Sequence, residues 1–175
     1  MRRLACLLPL LLALAAGPSL AQNLAQTLTL KGADGRELSV VAADLADLPR
    51  EQVPVEIHGE AQVYEGPLLF EVLARVGAPA SDAMRGLELA KAVRIVAEDG
   101  YQVVIGLGEA DPGLRLNRII LADRADGAPL AEGTGPFRLI IEDDIRPARS
   151  ARQVVRIEVI DLADPAVTRQ GGHAH

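Results

Sequence analysis

The chain has almost no cysteine and very few aromatic side chains. Cys6 is its one cysteine, and its 175 residues include no tryptophan, two tyrosines and two phenylalanines. Residues 22–175 therefore contain no thiol that could form a disulfide, act as a nucleophile or bind a metal ion. Because aromatic rings are so scarce, we expect a core packed from Val, Leu, Ile and Ala.

Basic charge is scarce as well. The sequence has 18 Lys and Arg residues against 24 Asp and Glu residues, a formal net charge of −6 at pH 7. An acidic surface repels the phosphate backbone of nucleic acids. We therefore expect no nucleic-acid partner.

Residues 1–21 have the pattern of a secretory signal peptide. Arg2 and Arg3 precede an apolar run over 4–16, and Ser19-Leu20-Ala21 has the small-x-small form of a cleavage site. The run is shorter than the roughly 20 residues of a membrane span. We expect cleavage near Ala21, a periplasmic or secreted location and no direct membrane insertion.

What remains after cleavage has the size of one domain. Removing 21 of the 175 residues leaves 154, and two basic residues leave with the signal, so the net charge shifts from −6 to −8. We predict a single domain over 22–163, followed by a tail over 164–175 without periodicity.

Short alternating segments separated by turn residues predict a β-rich domain. Apolar periodicity from Leu68 to Gly77 predicts one main helix, with a turn over 64–67 before it. Residues 42–48 and 107–112 are predicted as short helical turns, and 123–135 as a loop. The predicted strands are 25–30, 37–41, 53–57, 93–97, 101–105, 118–122, 137–141 and 154–160. The fold class is therefore α+β, with one main helix covering mixed sheets or a barrel.

Two motifs have both a structural and a functional interpretation. Gly106-Leu107-Gly108 could open a dinucleotide fingerprint, but Asp111 stands at the third glycine position, which favours a simple turn. Glu142-Asp143-Asp144 follows a strand; such a run is either a solvated turn or a carboxylate site for acid–base work or for a ring with N–H and NH₂ donors.

The late basic residues and the histidines also leave alternatives open. Arg146 and Arg149 lie in a predicted loop, where they either take a phosphate or a flat ring or pair with neighbouring acids. Arg152 and Arg156 are expected to face solvent along the last strand. His58 is a surface or core histidine, or a ligand. The last two histidines belong to a frayed tail or bind metal weakly; they are His173 and His175.

An ordered set of segments resembles the sulfite-oxidase-type molybdopterin-binding domain over about residues 26–162. The segments are Leu48-Pro49, Tyr64–Leu68, Leu73–Gly77, Ala97–Tyr101, Leu121–Asp123, Asp126–Leu130, Gly135–Leu139 and Arg152–Val159. The resemblance implies a β-rich α+β fold. It also implies a molybdenum ion held by a pterin dithiolene and one cysteine after the strand that corresponds to Val53–His58.

This chain departs from the family at that cysteine. Gly59 and Glu60 follow His58 instead, and neither can replace a thiolate ligand with the same redox chemistry. We therefore keep the expectation that the chain has the fold of this family, and we do not expect it to have the family's catalytic activity.

Small secreted members of this fold without the cysteine resemble pterin-binding regulatory proteins. The resemblance implies a non-catalytic periplasmic protein that binds a metal-free pterin and signals to an inner-membrane diguanylate cyclase or phosphodiesterase that controls cyclic di-GMP. The alternatives are a molybdopterin-dependent oxidoreductase or its accessory subunit, and a ligand-free interaction domain. The candidate pterin-binding residues are Arg146, Arg149, Ser150, Tyr101, Glu98, Asp99, Asp144, His58 and Glu60.

Overall fold

The structure, a computed structural model, describes residues 26–57, 59–79 and 81–164. Eleven strands, one α-helix and five 3₁₀ helices lie in this part of the chain. The strands are β1 Leu28–Lys31, β2 Glu37–Val40, β3 Arg50–Ile57, β4 Glu60–Pro67, β5 Lys91–Ala97, β6 Gln102–Gly106, β7 Ile119–Ala122, β8 Arg124–Ala125, β9 Ala128–Pro129, β10 Arg138–Ile141 and β11 Val154–Asp161. The helix is α1 Leu69–Ala74; the 3₁₀ helices are Ala42–Leu45, Ser81–Ala83, Gly86–Ala90, Leu107–Ala110 and Pro147–Arg149.

The strands form three open sheets, and the described part of the chain contains no closed barrel. The first sheet has the order β2-β1-β11-β5-β6, the second pairs β10 with β7, and the third has the order β3-β4-β8-β9. The pairing of β1 with β11 is parallel and every other pairing is antiparallel. The β-rich α+β prediction is confirmed at this level.

The two-stranded sheet of β7 and β10 lies between two apolar cores. Ile119 and Leu121 of β7 belong to the larger core, together with α1 and one face of the first sheet. Ile120 and Ala122 belong to a smaller core beneath the third sheet. Because both faces are covered, the two strands do not alternate, and apart from Arg138 at the start of β10 all of their residues are apolar.

The prediction of a turn over 64–67 is wrong. These residues complete β4, where Tyr64 pairs with Val53 and Pro67 pairs with Arg50. The reason is the close crossing of β4 and β7: a Cβ atom at Gly66 would lie 2.1 Å from the Leu121 carbonyl oxygen. Gly66 is therefore needed for this approach of two backbones, and Pro67 ends the strand instead of opening the helix.

The helix is shorter than its periodicity indicates. It ends at Ala74, and the predicted C-terminal glycine, Gly77, has φ +84. The Ala78 N–H donates to the Leu73 carbonyl at 3.2 Å, which closes the helix end as glycine-terminated helices commonly do.

The loop predicted over 123–135 also contains regular structure. Strands β8 and β9 form a small hairpin across Asp126-Gly127, and β8 extends the third sheet by pairing Ala125 with Tyr64. Two-residue strands are too short to leave a periodic pattern in the sequence. The remaining predicted strands are confirmed to within three residues at each end.

Candidate ligand-binding groove

A buried arginine without a carboxylate partner marks the candidate site. Arg138 opens β10 and is 8% exposed. Its Nη1 donates to the Tyr64 hydroxyl at 2.5 Å, and its guanidinium lies 4.9 Å from the centroid of the Tyr64 ring. Its Nε is buried and has no hydrogen-bond partner. A buried charge without a counter-charge is costly unless something binds it.

Arg138 lines a groove of about 570 Å³, here called the Arg138 groove. One wall is the turn between β5 and β6, with Asp99 and Tyr101, and the other is the segment 147–153. The Tyr101 hydroxyl donates to the Ala148 carbonyl at 2.6 Å and so ties the two walls together. The volume lies within the range of small-molecule sites.

A second guanidinium increases the positive charge of this groove. Arg152 is exposed, lines the groove and lies close enough for its charge to act on Arg138. Burial lowers the pKa of Arg138 and the Arg152 charge lowers it further, against the opposing effect of Tyr64. Two guanidinium groups face one carboxylate, Asp99, so the groove favours an anion.

Some of the sequence-predicted site residues meet at this groove. Tyr101, Asp99 and Ser150 line it. Glu98 lies at its edge, where its carboxylate accepts a hydrogen bond from Gln153 Nε2 at 2.9 Å. Tyr101 is 50% exposed, so a face of its ring is accessible to a flat ligand.

The other predicted cationic residues do not line the groove. Arg149 donates to Asp144 through Nε at 3.0 Å and Nη2 at 2.5 Å, and to Glu109 through Nη1 at 3.3 Å. The hydrogen bond with Asp144 raises the pKa of Arg149 above its ordinary value. This is the pairing with neighbouring acids that the sequence left open. Arg146 is exposed on the same loop, outside the lining of the groove.

The acidic run 142–144 begins with a turn after β10, with Asp143 exposed, and its carboxylates have hydrogen-bond partners. Glu142 accepts from Arg118 Nε at 2.9 Å and from Arg118 Nη2 at 2.5 Å, and Asp143 accepts from Asn117. The hydrogen bond from Arg118 lowers the pKa of Glu142. These carboxylates therefore join two loops.

Glu60, the remaining predicted residue that the structure describes, lies elsewhere. Glu60 is exposed at the start of β4, opposite Ile57, and belongs to the third sheet. His58, His173 and His175 lie outside the described residues. Among the residues that are described, no group of three or more His, Cys, Asp or Glu side chains is placed to hold a metal ion.

A larger cavity adjoins the groove. It has a volume of about 1130 Å³ and is here called the Arg50 cavity. Gly133 and Gln153 line both spaces. Inside the cavity, Arg50 Nε donates to Glu65 at 2.7 Å and both Arg50 terminal nitrogens donate to Asp123.

Sequence reasoning missed Arg138. Arg152 is exposed to solvent, as expected, but it lies two residues before β11 and not on the strand, and it lines the groove. Arg138 did leave a signal. It is the one charged residue in the otherwise apolar run Phe137–Ile141.

Comparison with known proteins gives a distant structural relation. No family model matches the chain, and no curated protein matches it. One similar solved structure is the sulfane dehydrogenase SoxCD from Paracoccus pantotrophus, with 17% sequence identity and a TM-score of 0.60. The match covers 77% of this chain and 38% of that one. It supports a distantly related molybdopterin-oxidoreductase-like fold.

No helix in the described part of the chain is both long and apolar enough to span a membrane.

Proposed function

We propose that this chain is a non-catalytic binding protein for a pterin that carries an anionic group. The observation that supports this most strongly is Arg138, a buried cation whose Nε has no partner and which lines a groove of ligand size. An anion bound there would supply the missing counter-charge. Tyr101 would stack on the ring, and Ser150 would add a hydroxyl donor.

The Arg138 groove suits the anionic end of a pterin cofactor better than its metal. A guanidinium group donates paired hydrogen bonds in a geometry that matches the oxygens of a phosphate. The thiolate that the related enzymes use has no counterpart in the described residues, since Cys6 is the one cysteine of the sequence. We therefore assign no redox step to this site.

The proposed biological role is sensing in the periplasm. Residues 1–21 would direct export and be removed near Ala21, and the pterin-loaded protein would act on an inner-membrane enzyme that controls cyclic di-GMP. Cell fractionation tests the location: the chain is expected in the periplasmic fraction, about 21 residues shorter than its full length. Recovery of the full-length chain in the cytoplasm would contradict this part of the proposal.

Calorimetric titration tests the ligand. Neopterin monophosphate is expected to bind at least about tenfold more tightly than neopterin, because a charged hydrogen-bond partner is worth on the order of 1.5–3 kcal/mol. Arg138→Met removes this preference. Arg85→Gln, an exposed arginine outside the groove, serves as the matched control and leaves it unchanged.

The oxidoreductase alternative has one observation in its favour, the structural likeness to a dehydrogenase. Metal analysis of protein purified from its native host distinguishes the oxidoreductase from the binding protein. Stoichiometric molybdenum together with a pterin would favour the enzyme or its accessory subunit. A pterin without molybdenum would favour the binding protein. A ligand-free interaction domain predicts neither the released pterin nor the effect of Arg138→Met.

A further inference from the structure

The Arg138 groove and the Arg50 cavity have opposite charge balances. The groove has two guanidinium groups against one carboxylate. The cavity has three carboxylates, Glu65, Asp123 and Glu132, against the guanidinium groups of Arg50 and Arg124. Since the two spaces share lining residues, one ligand with an anionic end and a donor-rich end matches both.

Among the described residues, only one of the three carboxylates has no hydrogen-bond or ion-pair partner. Glu65 and Asp123 accept hydrogen bonds from Arg50, which lowers the pKa of Glu65. Glu132 is exposed at the cavity, and within the described residues it takes part in no hydrogen bond or ion pair. It is therefore the carboxylate that is free to accept from a ligand.

The segment that carries Glu132 is held in place. Thr134 and Gly135 both donate their N–H groups to the Ala131 carbonyl, at 3.0 Å each. The Gln153 N–H donates to the Thr134 carbonyl at 2.9 Å. Glu132 thus lies on a hydrogen-bonded turn that is anchored beside the Arg138 groove.

Gln153 forms the ridge between the two spaces. It has φ +48, an uncommon conformation for a residue other than glycine, asparagine or aspartate. Its Nε2 donates to Glu98 at 2.9 Å, and its carbonyl accepts from the Glu98 N–H at 2.9 Å. These bonds hold Gln153 against Glu98, between the groove and the cavity.

We propose that Glu132 recognises the ring of the ligand. Its carboxylate accepts hydrogen bonds from the adjacent N–H and NH₂ groups of a 2-amino-4-oxo-pyrimidine edge in the Arg50 cavity. The anionic group of the same ligand binds at Arg138. This inference rests on the proposed function. Two classes of molecule carry that edge with a phosphate, the pterin phosphates and the guanine nucleotides. A carboxylate is the acceptor that such a pair of donors matches.

The test uses the full chain and five probes: inorganic phosphate, neopterin monophosphate, GMP, IMP and AMP. IMP lacks the 2-amino group of GMP, and AMP lacks the whole donor pair. We expect neopterin monophosphate or GMP to bind at least about tenfold more tightly than AMP, with IMP in between. AMP would leave the Glu132 carboxylate without a hydrogen-bond donor, and the loss of a charged hydrogen bond lowers the affinity by about that factor. Tighter binding of neopterin monophosphate would support the pterin, whereas tighter binding of GMP would keep the ring assignment and contradict the proposed pterin-binding function.

The variant Glu132→Gln removes the negative charge and replaces one of the two acceptor oxygens with an NH₂ donor. It is expected to lower the affinity for the preferred ligand about tenfold while the affinities for AMP and inorganic phosphate stay unchanged. Glu37→Gln, an exposed glutamate on β2, is the matched control and changes none of them.

The outcomes separate this inference from the proposed function. If none of the phosphates binds, the proposed function fails. If neopterin monophosphate, GMP, IMP and AMP bind equally well through Arg138, and Glu132→Gln has no effect, the ring assignment fails and the anion site remains.

Discussion

At the scale of single residues, most of the arginines that the structure describes have carboxylate partners and Arg138 does not. Arg50, Arg118 and Arg149 each form ion pairs with two acidic side chains. Such partly buried pairs hold loops in place. Arg138 has a phenol as its neighbour, which stabilises a guanidinium much less than a carboxylate does. The contrast distinguishes a residue that supports structure from one that is available to a ligand.

The pair of Glu142 and Arg118 makes a prediction about pH. The hydrogen bond from Arg118 lowers the pKa of Glu142 in the folded chain below its ordinary value. The stabilisation is therefore complete above the unfolded pKa and is lost as the pH falls through the lower, folded value. At pH 7 we expect Glu142→Gln to reduce the free energy of unfolding by about 1–3 kcal/mol, and below about pH 4 the difference from the wild type should shrink.

Urea unfolding at pH 7 and at pH 3.5 measures this effect. Glu37→Gln, at an exposed position on β2, controls for the loss of one negative charge. If the difference in the free energy of unfolding between Glu142→Gln and the wild type is the same at both pH values, the shape of the side chain matters and its charge does not.

At the scale of elements, the site depends on two loops brought together over a rigid two-stranded sheet. β10 places Arg138 at its first residue, and β7 pairs with β10 along its whole length. The crossing of β4 over β7 fixes Tyr64 beneath Arg138, since Gly66 allows the two backbones to approach. The position of the buried cation is thus determined by strand packing.

Gly66→Ala tests this crossing. The added methyl would overlap the Leu121 carbonyl and the Ala122 backbone, so we expect a loss of about 2–3 kcal/mol in the free energy of unfolding. Gly106→Ala is the matched control, because its nearest neighbours are flexible atoms of Glu109 at 3.7 Å and beyond. Chemical denaturation measures both, and equal stabilities would contradict the packing argument.

The same elements explain how far the sequence could predict the structure. The β5–β6 hairpin was predictable because alternation and the Glu98-Asp99-Gly100 turn agree. Gly66-Pro67 led to the wrong prediction of a turn, because the sequence does not distinguish a glycine that a neighbouring backbone requires from a glycine in a turn. The partners of Arg149 and the isolation of Arg138 depend on contacts between distant segments, which no local pattern encodes.

At the scale of the whole molecule, ligand binding and stability are linked. A ligand that binds only the folded chain stabilises it by about 2.7 kcal/mol when its concentration is a hundred times the dissociation constant. We expect neopterin monophosphate to raise the melting temperature of the wild type in this way. At the same ligand concentration Arg138→Met should gain no more than about half of this stabilisation, because its affinity is at least about tenfold weaker.

The unliganded variant provides a second readout in the same experiment. Removing a buried, uncompensated charge is often neutral or stabilising, and the Tyr64 hydroxyl retains Gln62 as its acceptor at 2.6 Å. Arg138→Met is therefore expected to unfold at the same temperature as the ligand-free wild type or higher. A large loss of stability would mean that Arg138 is a structural residue.

The position of β11 has a consequence for how the chain is made. β11 is the last of the described strands and lies in the middle of the five-stranded sheet, between β1 and β5, so Thr29 pairs with Arg156, which is synthesised much later. Until β11 has been synthesised, the first sheet lacks its centre and cannot close. The wall of the Arg138 groove that residues 147–153 supply would likewise form only after those residues have left the ribosome.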